Sequence, residues 1–186
     1  SEQPYAIYLP NDLDATRRYP LVLSLHGDGS SHQMNLRRVF GRGTLPLLRR
    51  DFPALPGFDF IVVSPLARGS LGYQGIAEQD IYDLLEEIKR RFPVDEDRVY
   101  LTGIAMGGGG ALWLGLTRPD LWAAVAPVCA IPPDDAAELA GNALNLPVRL
   151  FHGDRDPAVP VASSRGLHKR FLELQVKAEY IEYPGV

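Results

Sequence analysis

Four runs along the chain, at 21–25, 60–64, 122–128 and 147–151, are apolar almost throughout. Strands buried on both faces read this way, as in a parallel sheet covered by helices. The stretches between them follow a different period. Ile81, Leu84, Leu85, Ile88 and Phe92 recur at helical spacing and predict a helix over 76–92, closed by Pro93. Further helices are expected within 34–50, broken near Gly41 and Gly43, over 107–117 with Leu112, Trp113 and Leu116 inward, and over 161–174. A short helix is expected in the loop 131–145. Strands at 5–9, 99–102 and 178–183 complete an alternation of strand and helix. That alternation predicts an α/β fold with a mostly parallel central sheet and helices on both faces. No repeat or linker divides residues 1–186, so one domain is expected.

The strand over 99–102 runs into Gly103-Ile104-Ala105-Met106-Gly107. Gly-x-Ser-x-Gly between a strand and a helix is the turn that lifts a serine nucleophile above a sheet. Here the serine position holds alanine. The glycines are required because the flanking backbone approaches too closely for a side chain. The helix starts just after Ala105, so the Met106 N–H is a natural donor to a developing oxyanion.

Two more stretches stand at the carboxyl ends of predicted strands, where open parallel sheets bind ligands. His26-Gly27-Asp28-Gly29 lets the backbone approach a substrate, and the Asp28 N–H is a candidate second oxyanion donor. His26 precedes the nucleophile in the chain and reads as a packed loop residue, not a base. His152-Gly153-Asp154-Arg155-Asp156-Pro157 offers a carboxylate able to orient an imidazole, with the other aspartate left for an Asx-type turn. A histidine after one further strand is the missing member. His32 and His168 fall at the wrong places in chain order, and His168 reads as a surface residue of the 161–174 helix.

Composition narrows the alternatives. With 19 Lys+Arg against 23 Asp+Glu, the net charge is −4, and the basic residues are scattered in pairs and triplets, so no nucleic-acid partner is expected. No apolar stretch approaches a membrane span. The single Cys129 cannot form an internal disulfide and reads as a small core residue. No metal-ligand spacing appears among the four histidines and one cysteine, and neither a phosphate-binding loop nor a dinucleotide fingerprint is present, so no cofactor is expected. Oligomeric state is not readable from the chain.

Three motifs together carry a resemblance: Leu25-His26-Gly27-x-Gly29, the run from Val94 through Ala105-Met106-Gly107-Gly108, and Phe151-His152-Gly153-Asp154-x-Asp156-Pro157-x-Val159-Pro160. Over nearly its whole length the chain resembles α/β-hydrolases, and among them the polyhydroxybutyrate-depolymerase-like and feruloyl-esterase-like carboxylesterases. The resemblance implies a serine at the position of Ala105, Asp156 as the acid, and oxyanion donors at the Asp28 and Met106 amides. It also implies a histidine and a last helix after Val186, so that the C-terminal part of the fold is absent from this chain. An extracellular or periplasmic setting and a small or polysaccharide-linked ester substrate, acetyl or feruloyl, follow from the same likeness. The loops 68–75 and 131–145 are expected to line the pocket, with Arg68 and Tyr73, read as exposed, as candidate substrate contacts.

Without the serine the chain as written is expected to be inactive. The favoured reading is an inactivating serine-to-alanine change in an esterase. A natural relative that binds through the old cleft and an interaction domain with a decayed site are the alternatives. A prolyl-oligopeptidase-type peptidase would use the same triad.

Overall fold

The computed structural model describes residues 3–10, 12–40 and 57–186. The helix break expected near Gly41 and Gly43, and nearly all of the connection at 52–57, lie outside these residues. Among the described residues seven strands form one sheet: β1 (Tyr5–Tyr8), β2 (Tyr19–Leu25), β3 (Ile61–Pro65), β4 (Val94–Ile104), β5 (Ala124–Val128), β6 (Val148–Gly153) and β7 (Ala178–Tyr183). Their spatial order is β1-β3-β2-β4-β5-β6-β7. Of these strands only β1 runs antiparallel, pairing Tyr5 with Pro65; the other pairings among them are parallel. The expected mostly parallel sheet is what the chain builds.

The helices are α1 (His32–Phe40), α2 (Ile76–Arg91), α3 (Met106–Thr117), the short α4 (Ala136–Leu139) and α5 (Val161–Glu173). The chain steps from β2 outward to β3 through α1, then returns past β2 to β4 through α2 and continues through α3 to β5. Right-handed crossovers therefore put α1 on one face and α2 and α3 on the other. β4 records the difference between faces: Val99, Leu101 and Gly103 are buried under α3, while Tyr100, Thr102 and Ile104 alternate with them and are part-exposed or exposed. Leu21, Leu23, Leu25, Ile61, Leu101, Leu112 and Phe171 belong to one buried cluster. Each such side chain contributes about 1.5–3 kcal/mol by leaving water.

β4 starts earlier than its apolar residues predict. Residues 95–98 are polar and mostly exposed, yet their backbone is extended, with Val94 paired to Tyr19 before a register shift. The segment falls in the irregularity between the Val94 and Val99 pairings, and polar side chains hold it: Asp95 accepts from the Asp97 amide and from Arg98, whose Nη2 also donates to the Arg18 carbonyl. The order reversal at β2 and β4 decides where a site can form. Leu25 is paired with Gly103, so the loop after β2 and the turn after β4 leave the sheet side by side.

Candidate active site

The turn after β4 is tight. Ala105 sits at its tip with φ 53° and ψ −112°, a region side chains rarely occupy. Its N–H donates to the Val128 carbonyl at 3.0 Å, and its carbonyl accepts from the Gly109 and Ile131 amides at 2.9 and 3.1 Å. A Cβ on Gly103 would stand 2.2 Å from the Gly107 oxygen, and one on Gly107 would stand 2.2 Å from the Leu25 oxygen. The next three glycines let α3 press onto other neighbours. Gly108 meets the Val128 carbonyl, Gly109 the Ile131 carbonyl and Gly110 the Tyr73 ring. The glycine run thus seats the first turn of α3 against three separate segments at once.

The loop after β2 faces this turn. A Cβ on Gly27 would stand 3.6 Å from the Ala105 methyl. Asp28, next in the chain, is exposed. Met106 opens α3, where the first amides have no partner inside the helix. Among the described residues, neither the Asp28 nor the Met106 N–H has an acceptor within the protein. The two sequence-predicted donors are therefore uncommitted within the protein.

Asp156 follows β6, two strands from the elbow. Its Oδ1 accepts from the Ala158 and Val159 amides at 2.8 and 2.9 Å. These bonds, the one from Val159 first, hold its carboxyl below the usual carboxylate range. Asp156 thus makes the Asx-type turn assigned in the sequence to its neighbour. Asp154 instead accepts from the Gly185 amide at 2.6 Å, tying the segment after β7 to this loop. Arg155 N–H reaches the Val186 carbonyl at 2.8 Å in the same contact.

Cys129 is the residue sequence reasoning missed. It is not a core residue but is half-buried at the end of β5, between the elbow after β4 and Asp156 after β6. Its backbone is strained, with φ 36°. Burial pushes its thiol up, and the negative charge of the neighbouring Asp156 carboxylate adds to the shift. Strand order alone brings it there, and no local motif announces it.

His26, His152 and His168 serve the scaffold. His26 is 4% exposed and bonded to backbone on both ring nitrogens, as the packed-residue reading expects. His152 is buried, with Nδ1 2.7 Å from Ser164 Oγ and Nε2 2.9 Å from the Val159 carbonyl, which stitches the Asp156 loop to α5. His168 is not a free surface group: it is half-buried against Tyr180, 3.3 Å from the Ala178 carbonyl.

The two expected substrate contacts are placed differently from their sequence reading. Arg68 is gripped by Asp80 of α2 through Nε and Nη2, at 2.5 and 3.0 Å, so it is not a free loop cation. Tyr73 is buried, only 2% exposed, with its hydroxyl on the His26 carbonyl. Glycines on either side made the segment look like surface, but Gly110 leaves a seat for the ring. Beside the elbow runs a groove of about 650 Å³, lined by Leu71, Tyr73, Met106, Trp113, Ile131 and Pro132 among others. Both loops expected to form a pocket contribute to it. Among the described residues no group of three His, Cys, Asp or Glu could hold a metal ion, and no helix is long and apolar enough to cross a membrane.

A profile of the phospholipase/carboxylesterase family matches residues 75–186, which include the elbow, Cys129 and Asp156. The chain belongs to that family. It is 27% identical over 179 residues to feruloyl esterase D of Neurospora crassa, covering 90% of this chain and 58% of that enzyme. It superposes on a thermostable esterase with TM-score 0.74 at 26% identity, over 97% of this chain and 50% of the other. A ferulic acid esterase from Anaeromyces mucronatus shares the fold, with TM-score 0.75 at 18% identity over 99% of this chain and 78% of the other. The chain spans only 58% and 50% of the lengths of the first two. The fold is that of the α/β-hydrolases, and the family is one of ester hydrolases.

Proposed function

We propose that this chain carries the acyl-binding half of a serine carboxylesterase site centred on Ala105, and that it holds esters without turning them over. The observation behind this reading is the retained elbow. Ala105 keeps a strained backbone beside two uncommitted amides, a conformation that a simple connecting turn does not need.

With an oxygen at position 105, the chemistry is acyl transfer. The serine oxygen attacks the ester carbonyl carbon while its proton passes to a histidine. The Asp28 and Met106 amides take the tetrahedral oxyanion, the alcohol leaves with that proton, and water releases the acid from the acyl-enzyme. Asp156 orients the histidine and stabilises its charge. The histidine belongs to residues following Val186. The bonds from Gly185 to Asp154 and from Arg155 to Val186 support this, because a chain continuing from Val186 sets out beside the Asp156 loop. Loss of the serine alone lowers turnover by about a millionfold in a comparable hydrolase.

The groove supports a flat or apolar acyl group, with Trp113 and Met106 offering face and edge contacts. Acetyl and feruloyl esters both satisfy it. A natural non-catalytic binding protein would look the same at position 105. A peptidase would need to grip an amide leaving group with the same elements. Incubating the chain with methyl ferulate tests the proposal. Saturable binding with the ester recovered intact is expected; absence of binding up to millimolar ester contradicts it.

A further inference from the structure

The loop that would supply the Asp28 amide is held by two buried side chains. His26 Nε2 accepts from the Ala67 N–H at 3.0 Å, so that nitrogen carries no proton. The proton of the neutral ring is then on Nδ1, which donates to the Gly27 carbonyl at 2.8 Å. The Gly27 carbonyl and the Asp28 N–H are the two ends of one planar trans peptide and point in opposite directions. Fixing the carbonyl therefore fixes the aim of the amide.

Tyr73 acts one peptide earlier. Its hydroxyl donates to the His26 carbonyl at 3.1 Å. Its ring stands edge-on to the His26 ring, with centroids 6.1 Å apart, and fills the space above Gly110, where a Cβ would come within 2.5 Å of a ring carbon. It thus spans from the loop after β2 to the helix that presents Met106. Burial pushes the phenol far above its ordinary range, so it remains a donor throughout the working range of pH.

We propose that Tyr73 and His26 are positioning residues that aim the Asp28 N–H at the space above Ala105, so that the two oxyanion donors act as a rigid pair. The proposal rests on the reading of Asp28 and Met106 as oxyanion donors. Neither side chain touches substrate in this role. Tyr73 is instead the tie between the two walls of the site.

The test needs no turnover. In the chain as it stands, benzoate serves as a carboxylate probe, and the Asp28 and Met106 amide resonances are followed during titration. In the parent chain both resonances are expected to shift along one saturating curve. In Tyr73→Phe, Met106 still responds, Asp28 loses at least about half of its shift, and binding weakens by about three- to tenfold, the range of one hydrogen bond. Two substitutions at position 26 separate aim from packing. Asparagine (His26→Asn) keeps a donor near the place of Nδ1 and is expected to preserve the Asp28 response. Glutamine (His26→Gln) keeps only the Nε2 side and is expected to lose it. A full Asp28 response in both Tyr73→Phe and His26→Gln overturns the positioning proposal. No response at either amide in the parent chain overturns the oxyanion reading itself, and the proposal with it.

Discussion

The α-carbon of Gly27 faces the methyl group of Ala105: a Cβ on Gly27 would lie 3.6 Å from that methyl and 3.2 Å from the Ile104 carbonyl oxygen. Residues 78 positions apart in the chain thereby share one small space, made by the parallel pairing of Leu25 with Gly103. Gly27→Ala would place a methyl group where an ester carbonyl must sit. The fold should survive, with overpacking lowering stability by about 1–3 kcal/mol. Ester or carboxylate binding should fall by at least about tenfold, equivalent to 1.4 kcal/mol. Calorimetric titration beside urea unfolding separates the two effects.

Gly107 and Gly166 make an opposed pair. A Cβ on Gly107 meets the Leu25 carbonyl at 2.2 Å, with no flexible side chain to yield. Gly107→Ala should lower unfolding stability by about 3 kcal/mol or more. Gly166 lies exposed in α5 with nothing within 4 Å of its would-be Cβ. Gly166→Ala should raise stability by about 0.5–1 kcal/mol through helix propensity. Urea midpoints of the two variants should move in opposite directions.

Acid should weaken the α5–β7 contact. The Arg165 guanidinium, joined by the Tyr180 hydroxyl, lowers the Glu182 carboxyl from 4.5 to about 2. A carboxyl depressed by folding stabilises the native state fully above its unfolded value of 4.5, and that stabilisation fades as pH falls through about 2. Urea midpoints measured at about pH 6 and about pH 3 should therefore differ less in Arg165→Gln than in the parent chain. Equal differences would remove this pair from the acid response.

The sequence revealed the parts of this fold that bury side chains. β2 and β3 are apolar because helices cover them, and their residues say so. It did not reveal the polar start of β4, which is held by bonds of Asp95 and Arg98 and not by burial. Motifs local in sequence, at Gly103 to Gly107, at His26 to Gly29 and at Asp154 to Asp156, were legible because tight turns restrict residue type. Cys129 was not, because only the order of strands places it between Ala105 and Asp156. Tyr73 was misread for the reverse reason. Glycines beside it imitate a surface loop, while the cavity that receives its ring is made 37 positions later by Gly110.

The central claim is that position 105 is the reacting centre of an ester-hydrolase site complete except for its serine oxygen and its base. The most direct measurement is hydrolysis of p-nitrophenyl acetate by Ala105→Ser in a chain continuing past Val186 with a histidine, alongside the same chain carrying Asp156→Asn. The account predicts burst or steady release of nitrophenol well above the buffer rate for the first. It predicts loss of most of that rate for the second, with the fold unchanged by circular dichroism. A folded Ala105→Ser protein that stays at the buffer rate contradicts it.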